Sequence, residues 1–330
     1  MIIVVIMSKA LNIDRRLSVA PMMGYTDRHG RYFLRQFTRN TLLYTEMITT
    51  GQIIHGDTRR FLHFHPLESP IALQLGGAIP EELARCTELG ASYGYNEINL
   101  NVGCPSKRVK AGHFGACLMS KPKLVASCVN SMVRASKVPI TVKCRLGIEG
   151  EHSYSSLRDF VVAVLDAGAC SVIIHARTAV LGGLTPKENR EIPPLRHDWV
   201  WRLKSELSDA EIILNGGVEN LMDASAHLYH MDGVMIGRAA ISNPMMLSSA
   251  DEQIFGLKNK EIDRQKIVQN MLGYIDSELE SGTRLRAITK HMFGLFQGRP
   301  AARLWRRYLS ENSNQNDAGR EVVEKAISLM

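Results

Sequence analysis

Eight short apolar runs, several rich in β-branched residues, recur along the chain up to residue 236 and limit its fold more than any other feature. They cover residues 17–20, 42–45, 71–75, 97–100, 140–143, 171–175, 211–214 and 233–236. Apolar runs that are continuous rather than alternating indicate strands buried on both faces, as in parallel sheets. Each run ends in polar or glycine-rich residues, which is where a strand would leave the core.

Helical patterns separate most of these runs. Residues 81–90 follow Pro80, which suits the first position of a helix. Residues 124–136 and 157–167 carry apolar residues at helical spacing, and Gly168 is typical of a helix C-terminus. Eight βα units within about 240 residues fit a closed (β/α)8 barrel. No G-x-G-x-x-G follows the first run, so an open dinucleotide-binding sheet has no support.

The pattern changes after Pro244, and no strand is predicted from residue 253 onward. Residues 258–280, 284–297, 300–309 and 318–329 have helical patterns separated by Ser-, Gly- and Asn-rich breaks. The sequence therefore predicts an α/β protein, a (β/α)8 TIM barrel with a small C-terminal all-helical domain. We place the barrel in residues 1–252 and the helical domain in residues 253–330.

Positive charge is concentrated in the predicted helical domain. The chain has 40 Lys+Arg and 33 Asp+Glu, a net +7, and residues 253–330 hold 13 and 9 of these, so +4 lies there. Residues 284–307 contain seven Lys+Arg and no acidic residue. A helix opened by Pro300 would align Arg299, Arg303 and Arg306 on one stripe. Such a stripe is either a solvated basic face or a surface for RNA phosphates.

Cysteine usage and hydropathy indicate a cytoplasmic protein. The six cysteines include no C-x-x-C pair and no zinc-finger spacing, which is typical of reduced thiols. No apolar run is long enough to span a membrane. The apolar residues 1–6 lack the basic flank and cleavage site of a signal peptide, and Met7 is an alternative start. His63 and His65 have no carboxylate at ligand spacing, so no metal site is predicted.

The fourth run carries the most specific chemical signal. Asn99 and Asn101 alternate with apolar residues and so face the same side of a strand. Cys104 follows on a turn fixed by Gly103 and Pro105. In barrel enzymes the chemistry lies at the C-terminal ends of the strands. A thiol held there is either a proton donor or a nucleophile, whereas the other five cysteines fit buried structural thiols better.

Other run ends add groups suited to a flat, phosphate-bearing ligand. Pro21, Met22 and Met23 after the first run form either an apolar wall or a plain turn. Gln74 offers an amide that both donates and accepts at a ring edge. Lys143 ends the fifth run, where an ammonium is costly unless it meets an anion. His175 ends the sixth run and is either a ligand contact or a satisfied core residue.

The last two runs end in residues suited to a phosphate. Backbone N–H groups at glycines approach phosphates closely, although glycines at such turns can also be purely steric. The residues concerned are Asn215, Gly216, Gly217, Gly237 and Arg238. Together the run ends predict a site for flavin mononucleotide (FMN) rather than for a nicotinamide or a metal. We hypothesise that Lys143 lies near the N1/O2 edge of the flavin and stabilises its anionic reduced form.

These motifs together resemble the tRNA-dihydrouridine synthases over nearly the whole chain. The matching segments are residues 20–27 (APMMGYTD), Gln74, residues 99–105 (NLNVGCP), 142–147 (VKCRLG), 174–177 (IHAR), 215–217 (NGG) and 236–238 (IGR). Residues 181–190 (LGGLTPKENR) and 297–300 (QGRP) resemble the bacterial A subgroup in particular. The apolar N-terminal extension departs from the family pattern and bears only on the start site.

The resemblance implies a reaction. NADPH reduces FMN, the reduced flavin passes hydride from N5 to C6 of a tRNA uracil, and Cys104 delivers a proton to C5. In the A subgroup the target is the D-loop uridine at position 20, often also 20a. By similarity, the FMN contacts are Pro21, Met22, Met23, Gln74, Lys143, His175, Asn215, Gly216, Gly217, Gly237 and Arg238. The implied tRNA contacts are Asn101, Lys187, Arg190, Arg303 and Arg306.

The expected partners are therefore tRNA and NADPH, with no DNA, no membrane and no obligate protein partner, and we expect a monomer. One alternative is a flavin barrel that acts on a free pyrimidine, like the dihydroorotate dehydrogenases, which needs no basic helical appendage. The other is a non-catalytic RNA-binding module, which would be colourless and would leave Cys104 without a role.

Overall fold

Eight parallel strands close into a barrel in chain order, as the eight apolar runs predict. The computed structural model describes residues 13–258 and 261–330, so the apolar run at residues 1–6 and the alternative start at Met7 lie outside the described residues. The strands are β1 (Leu17–Val19), β2 (Leu42–Thr49), β3 (Ile71–Gly76), β4 (Glu97–Val102), β5 (Ile140–Arg145), β6 (Ser171–His175), β7 (Glu211–Asn215) and β8 (Gly233–Ile236).

Strand β2 is the one strand that is much longer than its apolar run. The run ends at Thr45 because Glu46 interrupts it, but pairing with β3 continues to Thr49. The register of this pairing shifts between Tyr44 and Met47. Such a bulge lets a strand continue after a local change in direction, and an apolar pattern alone does not reveal it.

Helices surround the barrel, and the described residues after β8 continue as helices and 3-10 turns to the C-terminus. They are α1 (Arg28–Arg35), α2 (Thr50–His55), α3 (Thr58–Leu62), α4 (Pro80–Ser92), α5 (Lys107–Ala111), α6 (Pro122–Ala135), α7 (Tyr154–Asp166), α8 (His197–Glu206), α9 (Leu221–Leu228), α10 (Arg238–Ser242), α11 (Ala250–Gln253), α12 (Arg264–Glu280), α13 (Leu285–Thr289), α14 (Ala302–Asn312) and α15 (Arg320–Ser328). Short 3-10 turns lie at Pro66–Glu68, Gly115–Ser120, Glu188–Arg190, Pro244–Ser249 and Lys290–Gly294.

The local signals for the barrel helices are confirmed. Pro80 opens α4, and α6 and α7 match the predicted helical segments within three residues. Gly168 follows α7 with a φ of 104°, in the left-handed region that favours glycine. These ends depend on backbone chemistry within a few residues, which is why the sequence predicts them.

The C-terminal helices correct three predicted boundaries. Helix α12 begins at Arg264 rather than at residue 258, because the Asp263 side chain accepts the N–H of Gln265 and caps it. The predicted helix 284–297 is α13 followed by a 3-10 turn. Pro300 does not open a helix, because Ala301 has a left-handed φ of 60° and α14 starts only at Ala302.

The N-terminal end of the barrel is filled by a buried charged network. Glu97 is fully buried and accepts from Arg15 Nε at 2.6 Å, from Thr141 Oγ1 at 2.6 Å and from the Tyr44 hydroxyl. Burial and the Glu97 charge raise the pKa of Tyr44 well above its ordinary value. Removing one partner from such a buried pair costs about 3–5 kcal/mol. The barrel interior around this network is packed by Leu42, Tyr44, Ala72, Ile173, Ile213 and Met235.

The C-terminal helices have their own buried centre and also contact the barrel. Trp305 of α14 is fully buried and donates its indole N–H to Met292 O at 2.9 Å. Helix α11 spans the boundary expected between residues 252 and 253, and its Asp251 accepts from Thr38 Oγ1 of the barrel at 2.7 Å. Among the described residues, no helix combines the length and apolarity needed to cross a membrane.

Candidate functional site

Strand register brings polar residues together at the C-terminal ends of β4 to β7. Asn101 pairs with Lys143, Arg145 with His175, and His175 with Asn215. Lys143 Nζ on β5 donates to Asn215 Oδ1 on β7 at 2.9 Å, across the intervening strand β6. Because parallel strands present their C-terminal ends at one rim of the barrel, residues that are far apart in sequence form a single cluster.

An amide network lines one side of this rim. Gln74 Nε2 donates to Asn99 Oδ1 at 2.8 Å, and Asn101 Nδ2 donates to Gln74 Oε1 at 2.8 Å. Asn99 Nδ2 donates onward to Thr141 Oγ1 at 2.9 Å. The prediction that Asn99 and Asn101 face the same side is confirmed, since both bind Gln74. The network fixes the orientation of the buried Gln74 amide.

The turn that carries Cys104 is held from two sides. Asn101 Oδ1 accepts the backbone N–H of Gly103 at 3.1 Å and that of Cys104 at 3.0 Å. Arg145 Nε donates to Gly103 O at 3.2 Å. On the far side of the loop, Ala116 N donates to Cys104 O at 3.0 Å. Asn101, a predicted contact of the target base, therefore also positions the thiol.

The Cys104 thiol is partly exposed at the barrel mouth. It lies 3.6 Å from Ser106 Oγ, whose hydroxyl also caps α5. The loop that contains Gly115 packs closely against the Cys104 turn. Gly115 has a φ of 74° and has no room for a side chain, because an added Cβ would lie 2.7 Å from Cys104 O. The thiol is thus a fixed group with access to solvent, as a proton donor needs to be.

Cations dominate the charge at the mouth. The pKa of His175 lies well below its ordinary value, because the ring is buried and four cations surround it. The four are Lys143, Arg145, Arg177 and Arg190. Burial and the neighbouring Arg145 lower the pKa of Lys143 to about 8, and burial with nearby arginines lowers that of Arg145 to about 10. His175 is therefore neutral near pH 7.

The cation cluster fits an anionic ligand. The lowered pKa values of Lys143 and Arg145 each report a positive charge that is held away from water without enough negative charge beside it. Arg177 Nε is buried and has no hydrogen-bond partner among the described residues. A phosphate or another anion at the mouth would offset the cost of burying these cations and would give Arg177 Nε a hydrogen-bond partner. The residues present therefore suit the phosphate-bearing cofactor that the sequence predicts.

The turn after β7 is shaped by two glycines. Gly216 and Gly217 have φ values of 103° and 75°. A Cβ on Gly216 would lie 2.4 Å from His175 Cδ2, so a side chain has no room there. His197 Nε2 lies 2.8 Å from Gly216 O and pins the turn from behind. Sequence analysis did not find His197, because it starts α8, far from any strand end.

The β1–α1 loop borders the same mouth. Pro21 and Met22 are half-buried, whereas the Met23 side chain is 65% exposed. The open side of Gly237, where a Cβ would be, faces Met22 Sδ at 4.0 Å. Loops after the first and last strands thus flank a common space. Of the predicted apolar wall, Met22 packs against the barrel interior and Met23 lies at the rim.

Arg238 has a partner that the sequence did not indicate. Its Nη1 lies 2.5 Å from Glu191 Oε1, and both side chains are about half exposed. Glu191 lies in the long loop after β6, so no local pattern connects it with the strand end at Gly237. A phosphate at this position would compete with the Glu191 carboxylate for Arg238.

The loop after β6 is anchored beside the Cys104 turn. Asn189 is fully buried and exchanges hydrogen bonds of 2.8 and 2.9 Å with the backbone of Val180. Arg145, which also holds the Cys104 turn, donates to Asn189 O at 2.8 Å. The predicted RNA contacts Lys187 and Arg190 flank this anchor and are exposed.

The remaining predicted RNA contacts belong to the C-terminal helices and not to the mouth. Arg303 and Arg306 are exposed on α14. With Arg299 they line a surface cavity of about 360 Å³. Arg299 reaches this cavity from the loop before α14, so the predicted helical stripe is wrong but its three charges still converge. None of the three pairs with a carboxylate within residues 13–258 and 261–330.

A closed parallel barrel with a positioned thiol, an amide network and an anion-accepting cation cluster at its mouth defines a (β/α)8-barrel enzyme. The family profile described as "Dihydrouridine synthase (Dus)" matches residues 18–330. The chain belongs to the dihydrouridine synthase family.

Named relatives match over nearly the full length. The chain is 53% identical over 315 residues to the tRNA-dihydrouridine(20/20a) synthase of Shewanella oneidensis, covering 96% of this chain and 94% of that one. It is 53% identical over 316 residues to the protein of that name from Escherichia coli strain K12, covering 96% and 91%. Among solved structures, morphinone reductase superposes with a TM-score of 0.52 at 11% identity, covering 76% and 88%, which shows likeness of fold.

Proposed function

We propose that the protein is a flavin-dependent tRNA-dihydrouridine synthase, which reduces the C5=C6 bond of the D-loop uridine at position 20 and also at 20a. Near-full-length identity of 53% to proteins named for that activity carries the proposal. The thiol held at the barrel mouth supports it, because saturation of a uracil ring needs a proton donor beside the base.

The proposed cofactor is FMN, with NADPH as its reductant. When bound and reduced, FMN supplies the hydride that C6 of the uracil accepts. Its ring would lie against Pro21, Met22 and Met23, with Gln74 and Lys143 at the ring edge. Its phosphate would lie among the remaining predicted contacts, which are His175, Asn215, Gly216, Gly217, Gly237 and Arg238. The unmatched positive charge of the mouth and the buried Arg177 Nε support an anion there.

Cys104 is the proposed proton donor to C5. Asn101 and Arg145 hold its turn, so the thiol keeps one position while the base enters. A neutral thiol gives up one proton and becomes a thiolate, which solvent reprotonates at the open mouth. Holding the donor in place avoids an ordering cost in each turnover.

Recognition of tRNA is proposed to use two separate surfaces. A uracil must leave its stack to reach a cofactor inside a barrel, so the enzyme needs a pocket for the base and a separate surface for the RNA backbone. We assign Asn101, Lys187 and Arg190 to the mouth, and Arg303 and Arg306 to the backbone. In this proposal residues 1–252 carry the chemistry and residues 253–330 hold the tRNA, in a monomer that works in the cytoplasm.

The alternative of a free pyrimidine substrate is less well supported. It leaves the three arginines around the 360 Å³ surface cavity without a role. Salt dependence separates the two functions, because RNA binding releases counterions whereas binding of a small pyrimidine releases few. Turnover of tRNA should fall steeply between 50 and 200 mM salt, as is typical of proteins that make several phosphate contacts.

Mapping of dihydrouridine in tRNA tests the proposal directly. Loss of the gene should remove dihydrouridine at positions 20 and 20a, and the wild-type gene should restore it. The purified protein should be yellow, with a flavin absorbance spectrum. An unchanged dihydrouridine pattern in the deletion strain would refute the proposed function.

A further inference from the structure

A polar contact joins the start of α1 in the barrel to the C-terminal helices. We call this contact the α1 joint and define it by Asp27, Arg28 and His29 on one side and Tyr274, Glu278, Lys290 and His291 on the other. Neither the cofactor contacts nor the RNA contacts proposed above include any of these residues. The joint therefore needs an explanation of its own.

Asp27 is the centre of the joint. Its Oδ1 accepts the N–H of Gly30 at 2.9 Å and caps α1, while Oδ2 accepts from Lys290 Nζ at 2.8 Å. His291 Nε2 lies 2.8 Å from Oδ1. Although burial raises it, the pKa of Asp27 lies well below its ordinary value, because two basic side chains and the capped N–H face the carboxylate.

Two further contacts hold α1 against the C-terminal helices. Arg28 Nη2 donates to Glu278 Oε2 at 2.7 Å. His29 Nδ1 lies 2.8 Å from the Tyr274 hydroxyl, and burial lowers the pKa of His29 to about 4, so this ring is neutral near pH 7. Neutral His29 adds no charge to the joint. The ion pairs that Lys and Arg form there are Asp27–Lys290 and Arg28–Glu278.

On the barrel side, the joint is continuous with the loop that borders the cofactor site. Thr26, next to Asp27, closes that loop by accepting the N–H of Met22 at 2.9 Å, and its own N–H donates to Met22 O at 3.0 Å. Gly30 has no room for a side chain, because a Cβ would lie 2.1 Å from Tyr25 O and 2.9 Å from His291 Nδ1. The loop and His291 are thus packed against the same residue.

On the helical side, the joint is continuous with the helix that carries the proposed RNA contacts. Lys290 begins the 3-10 turn Lys290–Gly294. Within this turn, Met292 O accepts from the Trp305 indole of α14, at 2.9 Å. Lys290 belongs to the basic stretch 284–307, and its partly exposed ammonium pairs with Asp27.

We infer that Asp27 is a positioning residue that fixes the RNA-holding helices relative to the β1–α1 loop. The target uridine of a tRNA whose backbone is bound at α14 would then arrive at Cys104 in register. This inference rests on the proposed function. Its physical basis is an unbroken series of contacts from Met22 through Asp27 and Lys290 to Trp305. A shift of about 1 Å in such an arrangement costs up to about a hundredfold in rate.

The test compares Asp27→Asn and Lys290→Met with wild type on an unmodified tRNA transcript, with rates expressed per bound flavin. Asparagine keeps the capping oxygen but removes the charge. We expect kcat to fall about tenfold to a hundredfold, as for a misplaced substrate. The flavin content and the KM for tRNA should stay within about twofold. Lys290→Arg, which keeps the charge, should restore most of the rate.

A matched control is Arg320→Gln, which removes an exposed ion pair with Asp276 inside the helical region and should keep the wild-type rate. If the wild type is active and both joint variants retain its kcat, or lose activity only through flavin content or tRNA affinity, the inference is wrong. If Asp27→Asn does not fold, Lys290→Met decides alone. A wild type that forms no dihydrouridine refutes the proposed function instead.

Discussion

Cys104 shows how a reactive side chain is fixed by residues outside its own segment. Its turn is held by an amide from β4 and a guanidinium from β5, and the loop that returns at Ala116 closes it. The sequence predicts the thiol and its Gly103–Pro105 frame. It does not predict Arg145 as a support, because that contact depends on which strands are neighbours in the barrel.

Cys104→Ala should bind flavin and tRNA normally but form dihydrouridine about 10²- to 10⁴-fold more slowly, which is the usual contribution of a positioned acid. The measurement is single-turnover product formation at saturating tRNA. Cys170→Ala is the control, since Cys170 follows α7 beside Arg15 at the opposite end of the barrel. Undiminished turnover of Cys104→Ala would remove the thiol from the mechanism.

Lys143 should make FMN binding depend on pH. Its pKa of about 8 means that the ammonium is charged below pH 8 and is progressively lost above it. The anionic ring of reduced FMN prefers the charged form of Lys143, so the affinity for reduced FMN should fall by up to about tenfold per pH unit above pH 8. Fluorescence titrations of the apoprotein between pH 7 and 10 measure this. Lys143→Met should bind more weakly and show a flat profile, and an unchanged slope would contradict the assignment.

Lys143 should affect stability in the opposite direction: as pH rises, its contribution to FMN binding falls, whereas its contribution to the stability of the ligand-free protein rises. Without a ligand, the folded chain releases the Lys143 proton near pH 8, whereas the unfolded chain keeps it up to about pH 10.4. The unfolded state therefore binds more protons in this window, and the contribution of Lys143 to the free energy of unfolding rises with pH.

At the level of elements, the turn after β7 is the part of the mouth that tolerates least change. Gly216→Ala introduces a Cβ 2.4 Å from His175 and requires a φ of 103° from an L-residue. We expect a loss of about 1–3 kcal/mol in the free energy of unfolding and weaker FMN binding. Thermal unfolding and flavin titration measure both. The control Gly51→Ala, at a position of α2 with open space around it, should leave stability and FMN binding unchanged. Equal effects of Gly51→Ala and Gly216→Ala would contradict this prediction.

The sequence predicts elements well where local chemistry decides them. All eight strands follow from apolar runs, and α4 and α7 follow from Pro80 and Gly168. The predicted start of α14 is wrong, because the left-handed φ of Ala301 has no local sequence signal such as glycine. The pairing of Arg238 with Glu191 and the support of Gly216 by His197 join separate βα units, so only the closed barrel reveals them.

For the whole molecule, the arginines around the surface cavity should account for much of the RNA affinity. Arg303→Ala with Arg306→Ala should weaken tRNA binding and lower the slope of log K against log salt by about one per lost phosphate contact. Reduction of the flavin by NADPH should be unaffected. Binding is measured by filter retention at several salt concentrations. The control variant Arg202→Ala, at an exposed position on α8, should bind tRNA normally. An unchanged tRNA affinity of the double variant would mean that Arg303 and Arg306 belong to a solvated basic face.

The filled N-terminal end of the barrel bears on the order in which the two proposed substrates bind. Glu97, Arg15 and Tyr44 are packed across that end. We therefore expect ligands to reach Cys104 from the strand C-termini. The proposed nicotinamide donor and the proposed tRNA loop would then enter by the same end of the barrel, so we expect each to leave before the other binds. Double-reciprocal plots with both substrates varied should give parallel lines, and excess tRNA should compete with NADPH.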